Sequence, residues 1–471
     1  MSFKDLRDWL EQIEAYGELK TVEGADWNME ISAISDLVAK NPADKRCLLF
    51  DSIPGYPKGY RVLTNILNSA RRLALTLNQN PSPSDREFVE TWRQRSKEIV
   101  PIKPKFVATG SVMENVHLGD DVNLWEFPTP LWHHLDGGRY IGTGSVTITR
   151  DPDEGWVNLG TYRVMIHDDK TLAFFVSPGK DGRIHRDKYF AQNKPCPVAI
   201  SFGQDPLLLV TSIMPSPYGV SEYDYAGGIQ GRPVEVIEGK VTGLPIPAHA
   251  EIVIEGESLP HEAKTEGPFG EWTGYYASHS RPEPLIRVKA VYHRNNPIIT
   301  GATTAIMPND FGHAYELMRA AQIWNEIEAA GVPDIQGVAC HQHRFITVVS
   351  IKQRYPGHAK QAAMLAMQCH AGAYLGRYVI VVDEDIDPYN FDEVIWALAT
   401  RVDPQRAIEI VKECWSGPLD PVIPVEEKGY NSRALILACK PYHWKDKFPP
   451  SIQYSIEIKE YVKRKFAGDV F

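Results

Sequence analysis

The sequence predicts an α/β (α+β) chain in three parts. These are a mixed α/β segment over residues 1–110, a barrel-like antiparallel β unit over 111–310, and an α/β segment with a parallel sheet over 311–471. Three observations carry this division. Between about 140 and 305, short alternating apolar runs follow one another across tight polar turns, as in a β-meander. After 312 helical and strand patterns alternate, which calls for crossover connections and hence a parallel sheet. Before 101 the two patterns mix, and Pro101, Pro104, Pro128 and Pro130 then mark a loop-rich entry into the middle of the chain.

In the first part, apolar spacing predicts helices over 3–16, 29–40, 69–77 and 84–97, with a short strand at RCLLFDSI. In the second, SVTITR (145–150), WVNLGTYRVMI (156–166) and TLAFFV (171–176) read as strands joined by DPDEG and HDDK. VAISFG, LLLVTSIM, HAEIVIEGE, LIRVKAVYHR and PIITGAT read as further strands, the last two turning at Asn295-Asn296. In the third, AYELMRAAQIWNEIEAAG is a helix stopped by Gly331. FITVVSIK is a strand, HAKQAAMLAMQCHAG a helix, YVIVVDEDID a strand and FDEVIWALATRV a helix. SIQYSIEIKEYVKRKF (451–466) predicts a terminal helix whose apolar face docks on a partner subunit.

Composition narrows the function. The apolar fraction of 43% and charged fraction of 23% are those of a globular protein. A formal net charge of -10 argues against nucleic acid as the main partner, because phosphate backbones call for a basic field. The six cysteines are scattered without a CxxC pair, which fits reduced thiols in the cytoplasm. The N-terminus reads as an amphipathic helix rather than a signal peptide, and no apolar run approaches the roughly 20 residues needed to span a bilayer.

Four stretches could carry chemistry. TEGPFGEWTGYY (265–276) sets Glu266 and Glu271 on a glycine-punctuated turn among Phe269, Trp272, Tyr275 and Tyr276. A GPxG core cannot be helical, so the acids sit on a stiff turn or bulge. In unequal surroundings one can be a proton donor and the other stay ionised. Read alone, the pair is also an ordinary polar turn. NLGTYR (158–163) places Asn158 and Arg163 in a predicted strand; strict pleating would put them on opposite faces, so Gly160 should mark a bulge or a close ligand approach. In SEYDYAGGIQG (221–231), Glu222 and Asp224 precede Gly227-Gly228, which suits a tight turn or a close backbone approach to a ligand. GRIHRDKY carries His185 between two arginines. Other clusters invite a metal: His133, His134 and Asp136 in LWHHLDGG, the run Cys340-His341-Gln342-His343, and the acids of DEDID (383–387). The first matches no standard zinc spacing, a strand start explains the second, and DEDID serves equally as a helix cap, with Asp392 adding to the dipole.

Together NLGTYR, His185, SEYDYAGGIQG, EGPFGEWTGYY, KAVYHRNNPI and VVDEDIDPYNFDEVIWALATR, in this order over nearly the whole chain, resemble the UbiD family of decarboxylases. The segments EGPFGE and YHRNNP look most like those of the vanillate and 4-hydroxybenzoate decarboxylases. The resemblance implies a central split β-barrel that binds prenylated FMN, with the cofactor phosphate held through Mn²⁺ (or Mg²⁺) and K⁺ nearby. It implies metal ligands at Asn158, His185 and Glu222, which with Arg163 would hold the cofactor, and a catalytic group of Arg163, Glu266 and Glu271. It further implies reversible, non-oxidative decarboxylation of an aromatic, heteroaromatic or α,β-unsaturated acid. A flavin prenyltransferase would supply the cofactor, and the terminal helix would exchange within a homodimer or homohexamer. Met307, His313 and Tyr430 are the pocket-lining candidates, drawn from TTAIMPND, the residues that follow it and GYNSRALILACKPYHW. The alternatives are a metal-dependent hydrolase using His133, His134, Asp136 and the DEDID acids, a plain FMN oxidoreductase on a split barrel, and a non-catalytic assembly subunit.

Overall fold

The computed structural model describes residues 3–41, 43–81, 84–214, 218–452 and 454–468. The N-terminal part packs helices Leu6–Ala15, Glu30–Ala39, Ala70–Thr76 and Asp85–Arg95 around a four-stranded sheet. Its strands run in the order Leu19–Glu23, Cys47–Asp51, Arg61–Thr64 and Ile298–Thr300, so the end of the central region completes the N-terminal sheet. Ser69 and Ser84 cap the last two helices by accepting from Arg72 N and Glu87 N.

The centre is a curled, antiparallel nine-stranded sheet. Its order is Tyr140–Gly142, Val164–Asp168, Thr171–Ala173, Arg281–His293, Ile252–Glu266, Cys196–Phe202, Val146–Arg150 and Val157–Gly160, with Asn115–Leu118 pairing off Arg281–His293. Its two longest strands, Ile252–Glu266 and Arg281–His293, run side by side from Ile252 opposite His293 to Glu266 opposite Arg281. The C-terminal sheet orders Ile335–His341, Ile346–Ile351, Tyr378–Asp383, Tyr430–Ala438 and Ile408–Trp415; its middle three strands are parallel, with helix His358–Gln368 making the expected crossover. Helix Asp310–Ala329 ties this part to the first. Arg93 stacks on the Trp324 ring at 4.2 Å and pairs with Glu328, and Asn325 donates to the Arg93 carbonyl at 2.8 Å.

Three expectations change. LLLVTSIM is not a strand but the helix Pro206–Ile213, capped by Asp205, which accepts from Leu207 N at 2.8 Å. Seven of its eight residues are buried, so it has no polar face to betray a helical period. SEYDYAGGIQG is the helix Glu222–Gln230, closed by Gly231 with φ +72°, rather than a turn. Its glycines allow a close backbone approach, but of this chain: a Cβ at Gly227 would lie 2.3 Å from the Ile102 carbonyl, and one at Gly228 2.5 Å from that of Val100. WVNLGTYRVMI is two strands, broken over residues 161–163.

Candidate active site

The break after Gly160 resolves the pleating problem. Asn158 stays in the sheet, whereas Arg163 leaves it and enters the space below the turn that joins the two longest strands. Gly160 is needed for the side chain two residues on: a Cβ there would meet the Tyr162 hydroxyl at 2.2 Å. Glu266 closes the strand Ile252–Glu266; Glu271 sits in the following turn, its amide donating to the Tyr275 carbonyl at 3.1 Å.

Arg163 binds both acids. Its Nε and Nη2 donate to the two oxygens of Glu266 at 2.8 and 2.7 Å, and its Nη1 donates to Glu271 and to Ser278 Oγ, the latter at 3.0 Å. The Tyr140 hydroxyl donates to Glu266 Oε1 at 2.8 Å. All three charged side chains are buried. The Phe175 ring lies 4.0 Å from the guanidinium carbon, and Phe269 packs on Tyr140 at 4.4 Å. The enclosure thus comes from Phe175, Phe269 and Tyr140. Of the other aromatics in the motif, Trp272 turns away to stack on His343 at 4.0 Å, and Tyr275 is exposed. Burial pushes the Glu271 carboxyl up, against the pull of Arg163, whereas Arg163 is held charged by its two acids.

The turn is pinned from below. Asp136 accepts from the Gly270 amide at 2.9 Å and from His133 N at 2.9 Å, and Gly137 N donates to the Pro268 carbonyl at 2.8 Å. His133 and Asp136 therefore brace the loop: the His133 ring bonds Asp136 on one side and the Thr304 carbonyl on the other, and His134 is exposed. The DEDID acids are likewise in use. Asp383 and Asp385 pair with Arg401, Asp385 also with Lys440, and Asp387 with Arg86. Cys340 is buried in its strand, and His341 bonds the Pro388 carbonyl at 2.9 Å.

A second cluster gathers Asn158, His185 and Glu222. Thr149 stands opposite Asn158 in the sheet and meets His185 Nδ1 at 3.0 Å. Glu222 accepts from the Leu159 amide at 2.7 Å. His185 is buried on helix Asp181–Ala191, and burial pushes its imidazole down to about 4, so it is neutral. Its Nε2 is buried without a hydrogen-bond partner among the described residues; the nearest carboxylate, Asp151 at 3.7 Å, is taken by Lys188 at 2.6 Å. A neutral imidazole with an unused lone pair, with the carboxylate of Glu222 and the amide of Asn158 held on either side of the same stretch of sheet, is a donor set that fits a divalent ion such as Mn²⁺ or Mg²⁺.

Lys180, Arg319 and Arg344 form a cationic group that the sequence did not reveal. Lys180 precedes the His185 helix; the surrounding protein, with Arg344 and Arg319, pushes its ammonium down to about 8. The Arg344 guanidinium lies 5.1 Å from the Trp272 ring and 5.7 Å from that of Tyr374, and Arg319 donates to the Tyr374 carbonyl at 3.1 Å. Among the described residues none of the three cations forms an ion pair with a carboxylate. No local motif marks them; their only signal is charge left without a counter-charge once the chain folds. The pocket candidates do not join this group. Tyr430 is 66% exposed at the start of its strand. His313 meets Asp85 at 3.1 Å beside a separate cleft of about 660 Å³ lined by Arg46, Arg71 and Arg72. Met307 is half-buried, against Gly312.

Profiles of the 3-octaprenyl-4-hydroxybenzoate carboxy-lyase match the chain over its length. The N-terminal domain matches residues 10–92, the Rift-related domain 105–308 and the C-terminal domain 313–438. A phenolic acid decarboxylase of Bacillus subtilis is 34% identical over 434 residues, covering 89% of each chain. The vanillic acid decarboxylase of Sedimentibacter hydroxybenzoicus, in its closed form, superposes with a TM-score of 0.85 at 29% identity, over 99% of this chain and 100% of that one. An evolved dimeric form of HmfF from Pelotomaculum thermopropionicum, in complex with prFMN, superposes at 0.82 with 27% identity, over 97% and 98%.

Fold and comparisons define a flavin-dependent carboxy-lyase. The chain belongs to the UbiD family, whose cofactor is prenylated FMN. Membership replaces the hydrolase, oxidoreductase and assembly-subunit alternatives.

Proposed function

We propose that this enzyme carries out reversible, non-oxidative decarboxylation of an aromatic or heteroaromatic carboxylic acid, with Arg163, Glu266 and Glu271 as its catalytic group. The observation that carries the reading is the joint hold of one buried guanidinium on two buried acids in unequal settings. Glu266 has Arg163 and Tyr140 as donors; burial pushes the Glu271 carboxyl up, which suits it to be the proton donor. Asn158, His185 and Glu222 would hold a divalent ion, Mn²⁺ or Mg²⁺ with K⁺ beside it, and through it the phosphate of the flavin.

Prenylated FMN, when bound, supplies an electron sink for the carbon that loses CO₂. The chain's residues do the rest. Arg163 fixes the two acids relative to each other. Glu271 delivers a proton to the carbon that the carboxylate leaves. Phe175, Phe269 and Tyr140 keep water from the guanidinium. Lys180, Arg319 and Arg344 offer charge for the anionic ends of substrate or cofactor, which explains why they lack carboxylate partners. A flavin prenyltransferase supplies the cofactor, and helix Ile456–Lys465 joins subunits of a homodimer or homohexamer, a reading supported by its unburied apolar side chains.

The test is co-production with a flavin prenyltransferase, mass spectrometry of the released flavin, and CO₂ release from a panel of aromatic acids. Glu271→Gln should retain the flavin and lose at least about a hundredfold in turnover. Near-normal turnover in that variant would remove the proton donor, and absence of flavin from the unaltered protein would remove the cofactor assignment.

A further inference from the structure

The YHRNNP segment has no part in the chemistry above, yet it carries a buried imidazole in an unusual setting. His293 ends the strand Arg281–His293, and His117 lies on the paired strand Asn115–Leu118. The register sets Val291 opposite His117, so His293, two residues on, shares its face. The two rings are within 5° of parallel with centroids 5.2 Å apart, while their Nε2 atoms are only 3.1 Å apart. They therefore meet edge to edge, nitrogen toward nitrogen. His293 Nδ1 donates to the Arg294 carbonyl at 2.9 Å, so in the neutral ring Nε2 carries a lone pair.

Glu126, at the end of the turn Leu124–Glu126, crosses the same face. Its Oε1 is buried and has no hydrogen-bond partner among the described residues. One ligand atom from each of His117, Glu126 and His293 falls in a group whose members all lie within 4.8 Å of one another. A plain histidine–histidine hydrogen bond would account for the two nitrogens but leave the buried carboxylate oxygen without a partner. A metal ion accounts for both. At a tetrahedral Zn²⁺ with bonds of about 2.0–2.1 Å, two nitrogen ligands are about 3.3 Å apart, close to the spacing present here.

We infer that His117, His293 and Glu126 form a binding site for Zn²⁺ or a neighbouring late first-row divalent ion, separate from the flavin site. Two imidazoles and one carboxylate select that class over Mg²⁺ or Ca²⁺. The fourth position falls to water, since His117 and Glu126 reach the surface. The ion clips the Asn115–Leu118 strand and the Leu124–Glu126 turn to the sheet. It is set apart from the catalytic group: His293 lies at the opposite end of its strand from Arg281, the residue that stands opposite Glu266 in the sheet.

The experiment titrates Co²⁺, then Zn²⁺, into chelator-treated full-length protein, following cobalt absorption in the visible and metal stoichiometry by mass spectrometry. The unaltered chain should bind one equivalent of Co²⁺ more than His117→Ala or Glu126→Gln, with an absorption band typical of four-coordinate cobalt that Zn²⁺ abolishes. Both changes are at partly exposed positions, so the fold should persist, as circular dichroism checks. The extra equivalent should survive in His185→Ala, which empties the other site. Equal stoichiometry in the unaltered chain and His117→Ala, or loss of the band in His185→Ala alone, would overturn the inference.

Discussion

Arg163 directs Nε and Nη2 to the two oxygens of Glu266, and Nη1 to Glu271 and Ser278. A lysine in its place keeps the charge but has no planar fork to bridge a carboxylate while holding a second one. Two or more charge-assisted bonds are lost, each worth roughly 1.5–3 kcal/mol, and Glu266 is left with Tyr140 as its one remaining donor among those described. Arg163→Lys should therefore lower stability by about 2–4 kcal/mol, read by urea unfolding, and cut turnover of the flavin-loaded enzyme at least about tenfold. Turnover within twofold of the unaltered enzyme would mean that a single cation suffices. At this scale the sequence singled out Glu266, Arg163 and Glu271 through the motifs that resemble the family, EGPFGE and NLGTYR, because each motif is a short local string although the two lie about a hundred residues apart. It was silent on Lys180, Arg319 and Arg344, which stand on separate elements and meet only through the fold. Met307, His313 and Tyr430 were drawn from the segments where the chain departs most from the family pattern, with no geometry to say which way the side chains turn.

The turn that carries Glu271 depends on glycines outside it. A Cβ on Gly137 would lie 2.1 Å from the Gly267 carbonyl oxygen, a backbone atom that can yield only by moving the whole turn. Gly137→Ala should displace Glu271 and lower turnover by about tenfold to a hundredfold, with a stability loss of about 1–3 kcal/mol; unchanged kinetics would show that the turn is softer than its bonds suggest. The long helix is sensitive to pH at its first residue. Asp310 is buried, accepts from the Leu67 amide at 2.9 Å through one oxygen, and has no described partner for the other. Burial pushes its carboxyl up to about 6. Between about pH 4, where the unfolded chain loses this proton, and about 6, the folded chain keeps it. The stability it contributes is therefore full below about pH 4 and lost as pH rises through about 6. Asp310→Asn keeps the acceptor for Leu67 and removes the titration. Unfolding free energies should show the variant gaining on the order of 2–3 kcal/mol relative to the unaltered chain on going from about pH 4 to pH 8; an equal difference at both ends would clear Asp310 of this role. Element type was least legible where burial removes periodicity, as in Pro206–Ile213, although its Asp-Pro start was a helix signal in plain view. In Glu222–Gln230 a Gly-Gly pair was read as a tight turn or a close backbone approach to a ligand, when its cause was the chain at Val100 and Ile102 pressed against the helix.

Across the whole molecule, the order of motifs carried the family resemblance, and the parallel and antiparallel sheets followed from the change of hydrophobic rhythm. Among the described residues, one helix at that scale has no packing partner within the chain. Helix Ile456–Lys465 buries none of its residues. Ile456 is 76% exposed and Ile452, just before it, 96%, with Ile458, Tyr461 and Phe466 also open to solvent. Ile458, Val462 and Phe466 recur at four-residue steps, with Tyr461 three residues after Ile458, the spacing of a face that packs on something. Leaving such side chains in water forgoes about 1.5–3 kcal/mol each, so burial of three or four against another copy would offset a substantial part of the cost of association. The site residues Arg163, Glu266, Glu271, Asn158, His185 and Glu222 all lie outside this segment, as does the cationic group. Removing residues 451–471 should therefore lower the molar mass in light scattering from an oligomer to a monomer, while flavin content per chain stays near that of the full-length protein. An oligomer that survives the truncation would move the interface elsewhere, and a full-length chain that is monomeric at micromolar concentration would remove the proposed role of the helix altogether.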